Sequence, residues 1–161
     1  MSSPFSSLGR DEQWAIMTFP GIAGRFRKTS NFDENYNCLC WALGRTDTFL
    51  TPAADIPPYS WPDGIPAEWS TSAIREIFVR AGYTEETDSI ELEDGWEKVA
   101  FYVENVDTPT HFARQLPNGR WTSKLGMHID VEHDDLNCLE GPRYGRLGLI
   151  LKRRRQSQDR A

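Results

Sequence analysis

Beyond Gly95 the chain changes texture, and that change limits what it can fold into. Val99-Ala-Phe-Tyr-Val103 is rich in β-branched and aromatic residues. Thr110–Leu116 and Arg120–Leu125 flank Pro117-Asn-Gly119, a strong hairpin signal. Arg146–Leu151 reads as a last strand. Before Gly95 the apolar spacing is helical. Ile74, Ile77, Phe78 and Ala81 recur on one face, after a Ser70 or Thr71 cap and before Gly82. Cys38 to Leu43 reads as a second, shorter helix closed by Gly44, and Gln13–Phe19 as a short strand or helix. Helices followed by a mainly antiparallel sheet make an α+β domain. At 161 residues the chain suits one such domain, with no internal repeat and no strong linker. Its bounds are expected at 13–152. Residues 1–12, rich in serine, are expected to be disordered, and residues 153–161 to be a basic, flexible tail.

Thr51–Trp69 carries five prolines with Trp61 and Trp69, so it is expected to lack regular structure. A proline-aromatic loop of that length either covers the core or rims a cleft, and a cover is the expectation.

Hydrophobic residues make up 39% and charged residues 26%, which suits a soluble, rather polar globular protein. The net charge of −6 disfavours nucleic acid and anionic membranes as partners. No apolar run reaches the roughly 20 residues that cross a bilayer. The first residues show no basic segment leading into an apolar one, so a cytoplasmic chain is expected. Three cysteines, two of them only two residues apart, argue against a disulfide framework. Lys152-Arg-Arg-Arg155 reads as a solvated terminus or, alternatively, as a docking patch for an acidic partner.

The chemistry concentrates in Asn35-Tyr-Asn-Cys-Leu-Cys-Trp-Ala-Leu-Gly44 and in Thr110-His-Phe-Ala-Arg-Gln115. A cysteine opening a helix has unbonded backbone N–H groups and a positive dipole end nearby, both of which favour its thiolate. A distant histidine on a strand can complete a nucleophile–base pair. Cys38 is the expected nucleophile. Cys40 competes for the role, but a two-residue offset on a helix points the two thiols in different directions. His111 is the expected base, sharing its strand face with Ala113 and Gln115. Ser123, on the partner strand, would orient the imidazole in one hairpin register, with Gln115 and Asp130 as alternatives. His128 and His133 lie in His128–Asp135, a stretch read as a solvated acidic loop; taken with Cys138 as a metal site, it has no trusted zinc spacing.

Over Asn35–Lys152 the chain resembles a family of uncharacterised, mostly bacterial proteins. The shared motifs are Tyr-Asn-Cys-x-x-Trp-Ala (Tyr36–Ala42), Glu-Lys-Val-Ala (Glu97–Ala100), Thr-His-x-Ala-Arg-Gln-Leu (Thr110–Leu116), Trp-Thr-Ser-Lys-Leu-Gly (Trp121–Gly126) and Tyr144-Gly145. In that family the Cys40 position is commonly alanine, which singles out Cys38. More loosely, a helix-borne cysteine followed by a hairpin with histidine and a polar third residue is similar to papain-like amidases of the NlpC and CHAP type. That likeness implies a papain-like fold and a Cys-His-polar site cutting amide bonds. The Gly-His lead-in common in those amidases is missing here, and neither an export signal nor a wall-binding module is expected.

The expected function is therefore a cysteine hydrolase: a peptidase or amidase, or a deamidase or transglutaminase using the same dyad. It would act on a peptide or protein, with no metal or organic cofactor implied. The rival expectation is a non-enzymatic interaction module, an adaptor or immunity-type protein, in which Cys38 and His111 are structural.

Overall fold

The computed structural model of the chain describes residues 8–53, 56–126 and 128–155. Its first helix, α1 (Arg10–Thr18), carries Asp11 and Glu12 in the first turn, where they meet the positive dipole end. The sequence predicts disorder through residue 12. From Arg10 onward the chain is helical instead, because its side chains find partners across the domain. Lys28 donates to Asp11 at 3.0 Å, and the Trp14 ring stacks on His128 with centroids 3.8 Å apart. Residues 1–7 lie outside the described residues.

β1 (Phe26–Ser30), α2 (Cys38–Ala42) and the two-residue strands β2 (Phe49–Leu50) and β3 (Tyr59–Ser60) follow. β2 and β3 pair in parallel inside the stretch expected to be irregular. Proline lacks a donor but keeps its acceptor, so the Pro58 carbonyl takes the Phe49 N–H at 2.8 Å. The rest of that stretch is a cover: Ile65, Trp61 and Trp69 pack on the core, and the Trp69 indole donates to the Pro109 carbonyl at 2.7 Å. α3 (Thr71–Arg80) forms where the apolar spacing predicts it. The Ser70 hydroxyl caps it by accepting the Ala73 N–H, and Gly82, at φ +101°, ends it.

β4 (Glu85–Thr87), β5 (Trp96–Asn105), β6 (Thr108–Gln115), β7 (Trp121–Lys124), β8 (Asp130–His133) and β9 (Arg146–Arg154) complete the chain. With β1 they build one seven-stranded sheet in the order β1-β8-β7-β6-β5-β9-β4, each neighbouring pair antiparallel. The fold is α+β, as the order of textures predicts. Alternation sends Tyr102, Ala113, Trp121, Val131 and Ile150 to one face, against Ala15 and Phe19. Phe101, Phe112, Val99 and Leu151 go to the other, against Leu39, Ala42, Ile74 and Phe78. β5, covered on both faces, is buried from Glu97 to Val103. Lys98 tolerates this because its ammonium reaches the carbonyls of Ser89 and Glu91, each at 2.7 Å, and the Glu93 carboxylate.

Two boundaries differ from expectation. The stretch around His133, expected as a solvated loop, is β8, with Asp130, Val131 and His133 buried. Its carboxylates are taken up in pairs such as Arg120 with Glu132 at 3.1 Å. The last strand, expected to end at Leu151, runs to Arg154, so residues 153–155 are not a tail. Arg153 lies opposite Glu97, donates to the Ala81 carbonyl at 2.8 Å and sits over the Tyr83 ring. The Arg155 N–H closes on the Gly95 carbonyl. Residues 156–161 lie outside the described residues. Among the described residues no helix is long and apolar enough to cross a membrane.

Candidate active site

Asn37 fixes the start of α2. Its side-chain oxygen accepts the Cys40 N–H at 3.1 Å, and its amide nitrogen donates to the Leu50 carbonyl at 2.7 Å. The cap leaves Cys38 at the first helical position. Trp41, one turn on, donates its indole N–H to the Thr122 hydroxyl at 2.9 Å and stacks beside Tyr36. α2 is thereby clamped to the sheet, packed on β6 and β7.

The three thiols have different settings. Cys40 is fully buried, and its sulfur accepts the Leu50 N–H at 3.3 Å. Cys138 is buried on the other face, with its sulfur 3.1 Å from the Asp135 carbonyl. Cys38 alone of the three keeps a partly exposed surface. Its thiol is nevertheless pushed up to about 12, because desolvation outweighs the thiolate-favouring N–H groups of Phe112, Leu39 and Cys38 itself. The expected thiolate is thus a neutral thiol at rest. A helix start as short as this one does not offset the loss of water around the sulfur.

The Phe112 peptide N–H belongs to the residue after His111, at the point where β7 has left β6. Pairing between those strands runs only from Ala113–Ser123 to Gln115–Trp121. His111 lies opposite Tyr102, so its imidazole points to the face away from α2. There it stacks on Tyr144, with centroids 4.1 Å apart and planes at 5°. The ring is fully buried, and neither nitrogen has a hydrogen-bond partner among the described residues. Burial, then the neighbouring His133, hold its pKa well below the ordinary histidine range, so the imidazole is neutral. The resting structure brings Cys38 to the peptide next to His111 but does not join sulfur to imidazole by a hydrogen bond.

Ser123 shares the His111 face, in the register that would allow it to act as orienter. Its hydroxyl instead meets His133 Nε2 at 2.8 Å, because β8 brings that second imidazole closer. His133 Nδ1 lies 2.9 Å from the Asp135 carbonyl. Gln115 donates to the Ile90 carbonyl, and Asp130 Oδ2 accepts from Tyr36 and from Ser30. None of the three candidates thus orients His111 among the described residues. No group of three His, Cys, Asp or Glu side chains there could hold a metal ion.

Sequence reasoning missed a buried polar cluster on the α2 face. Lys124 and Asp130 are fully buried and lie opposite each other on β7 and β8, with Tyr36 and Ser30 against the carboxylate. The signal was present in the alternation of β7: Thr122 and Lys124 take the face opposite Trp121 and Ser123, which is where α2 lies.

A family model described as a domain of unknown function, DUF7689, matches residues 27–152, and the chain belongs to that family. No curated protein matches the chain, and no solved structure does.

Proposed function

We propose that the protein is a cysteine hydrolase of papain-like arrangement, with Cys38 as nucleophile and His111 as base, acting on an amide bond. One observation carries this reading. The thiol of Cys38, a residue that keeps some exposed surface, sits at the peptide following a fully buried imidazole whose two nitrogens have no hydrogen-bond partner among the described residues. A buried histidine kept for structure spends its nitrogens on hydrogen bonds, and leaving both unmade is costly. The exception makes sense if the ring must be free to exchange a proton.

Both groups start neutral, so the proton moves during the reaction rather than before it. In this reading His111 takes the thiol proton, which requires its imidazole to leave the Tyr144 stack on the face away from α2 and come within reach of the sulfur. The sulfur attacks the amide carbonyl, and the carbon–nitrogen bond breaks as His111 returns the proton to the leaving nitrogen. The resulting thioester is cleaved by water, which regenerates the thiol and releases a carboxylic acid. An amine in place of water makes the same chemistry a transglutamination. The N–H groups at the start of α2 are the candidate donors to the developing oxyanion. The rival reading is an interaction module with a structural cysteine, and the raised thiol pKa favours it. A substrate panel separates the two. Peptides, isopeptides and glutamine side-chain amides are incubated with the wild-type protein, Cys38→Ala and His111→Asn, and the products are read by mass spectrometry. The hydrolase reading expects turnover that falls to background in Cys38→Ala and by about 100-fold or more in His111→Asn. Turnover that survives in Cys38→Ala, or is absent from the wild-type protein across the panel, favours the rival.

A further inference from the structure

We propose that the outer edge of β1 is a peptide-docking site, where an extended segment of a protein partner, alternating apolar and acidic side chains, adds as one further antiparallel strand. The proposal does not depend on the reading of Cys38.

β1 ends the sheet and, among the described residues, pairs only with β8. The Asp134 N–H donates to the Arg25 carbonyl at 3.1 Å, and Phe26 stands opposite His133. Inward and outward backbone groups alternate along an antiparallel strand, so the N–H and C=O of Phe26 and Lys28 point away from β8. No backbone group meets them on that side among the described residues. Beside this edge, between β1 and α1, lies a groove of about 490 Å³. Leu8, Ile16, Ala23 and Phe26 line it together with Glu12 and Lys28. A groove next to an open strand edge suits an added strand: main-chain bonds hold it, and every second side chain enters the groove.

Charge decides the occupant. Arg25, Arg27 and Lys28 crowd three cations into four residues of this edge. Arg25 and Lys28 are held by Asp135 and Asp11. Arg27 is held less closely. Its side chain is 68% exposed, and its carboxylate, Glu132, stands at 3.5 Å and already accepts from Arg120 at 3.1 Å. A second copy of this chain fits badly. A twofold axis at Arg27 or Lys28 sets that cation against itself, and one at Phe26 sets Arg27 against Arg25. Like charges directly opposite destabilise a strand pair. An acidic side chain opposite Arg27 does the reverse. The residues opposite Phe26 and Lys28 then face α1, because Phe26 packs on the core that α1 covers and Lys28 meets Asp11 of α1. The bulge after Lys28 and the run of cations deter casual pairing by other edge strands. They do not account for the apolar groove, and they leave an acidic strand as the one that fits.

Fluorescein-labelled Glu-Val-Glu-Val-Glu and Lys-Val-Lys-Val-Lys are titrated into full-length wild-type and Arg27→Glu proteins, with anisotropy and amide NMR shifts as readouts. The acidic peptide should bind the wild type saturably and shift amides of α1 and Phe26–Ser30. Added salt should weaken it. Arg27→Glu should bind it about tenfold more weakly and gain affinity for the lysine peptide, a swap that a merely structural arginine would not produce. Methylating the valine nitrogens, which would bond β1, should abolish binding, and methylating the middle glutamate nitrogen should spare it. A wild-type protein that binds neither peptide, binds both alike, or keeps its affinity for the valine-methylated one overturns the proposal. So does binding that appears only when residues 1–7 are removed, which assigns the groove to the chain's own start. A dimer in sedimentation that protects the Phe26 and Lys28 amides from hydrogen exchange assigns it to a second copy and overturns it equally.

Discussion

Asn37 shows how much of the site depends on one side chain. It caps α2 and ties that helix to the Leu50 carbonyl, so it sets where Cys38 begins the helix. Asn37→Ala should cost about 1–2 kcal/mol, which for a chain of this size is a melting point lower by about 2–8 °C. Asn37→Asp keeps the acceptor for Cys40 but loses the donor to Leu50, so thermal denaturation should place it between Ala and wild type. Cys38 and His111 were legible in the sequence as residue types in a pattern: a cysteine at a helix start and a histidine on a hairpin. Their charge states were not. The dipole argument predicts a thiolate, yet desolvation is a tertiary property, and it holds both groups neutral. The partner of Ser123 was hidden for a related reason. Register within one hairpin says which residues share a face, but His133 arrives on a strand whose neighbour is fixed only when the whole sheet forms.

At the scale of elements, β9 is the instructive case. Leu147, Leu149, Ile150 and Leu151 announce a strand, and the four cations after them read as solvent-facing. The strand continues because acidic and aromatic partners wait on β5 and just before it. Lys152 meets Glu93 at 3.0 Å and lies over Trp96, and Arg153 faces Glu97. Sequence order hides this, since β5 and β9 are far apart in the chain. Ending the protein after Lys152 should therefore lower the melting temperature by several degrees, where a loose tail would leave it unchanged. Differential scanning calorimetry of the truncated and full-length chains checks this. The α3 helix and the β6–β7 hairpin, by contrast, were legible because their signals are local. A serine cap, a helical apolar stripe and an Asn-Gly turn need no distant partner to act.

Over the whole molecule, buried titratable groups set a pH window. His111 and His133 are held below the ordinary value of 6.5, His133 to about 4, in both cases chiefly by desolvation. The unfolded chain takes up protons below about pH 6.5 while the native state resists them, so stability is present above that pH and lost on the way down toward pH 4. On the alkaline side burial raises the thiols of Cys38, to about 12, and Cys138, to about 11, from 9.0, and raises Tyr36, Tyr83, Tyr102 and Tyr144 above 10.0. Here the native state keeps protons that the unfolded chain releases, so stability is present below about pH 9 and lost above it. Urea denaturation across pH should show a plateau between these limits and a fall on either side. The same neutral interior frames the central claim, that Cys38 and His111 form a neutral pair able to exchange a proton during acyl transfer. Its most direct test is acylation by p-nitrophenyl acetate at pH 7, with the adduct located by peptide mapping. The account predicts an acyl group on Cys38 in the wild-type protein, with a rate level through neutral pH, and its loss in His111→Asn. An adduct spread over all three cysteines, or one on Cys38 that forms equally fast without the imidazole, would contradict it.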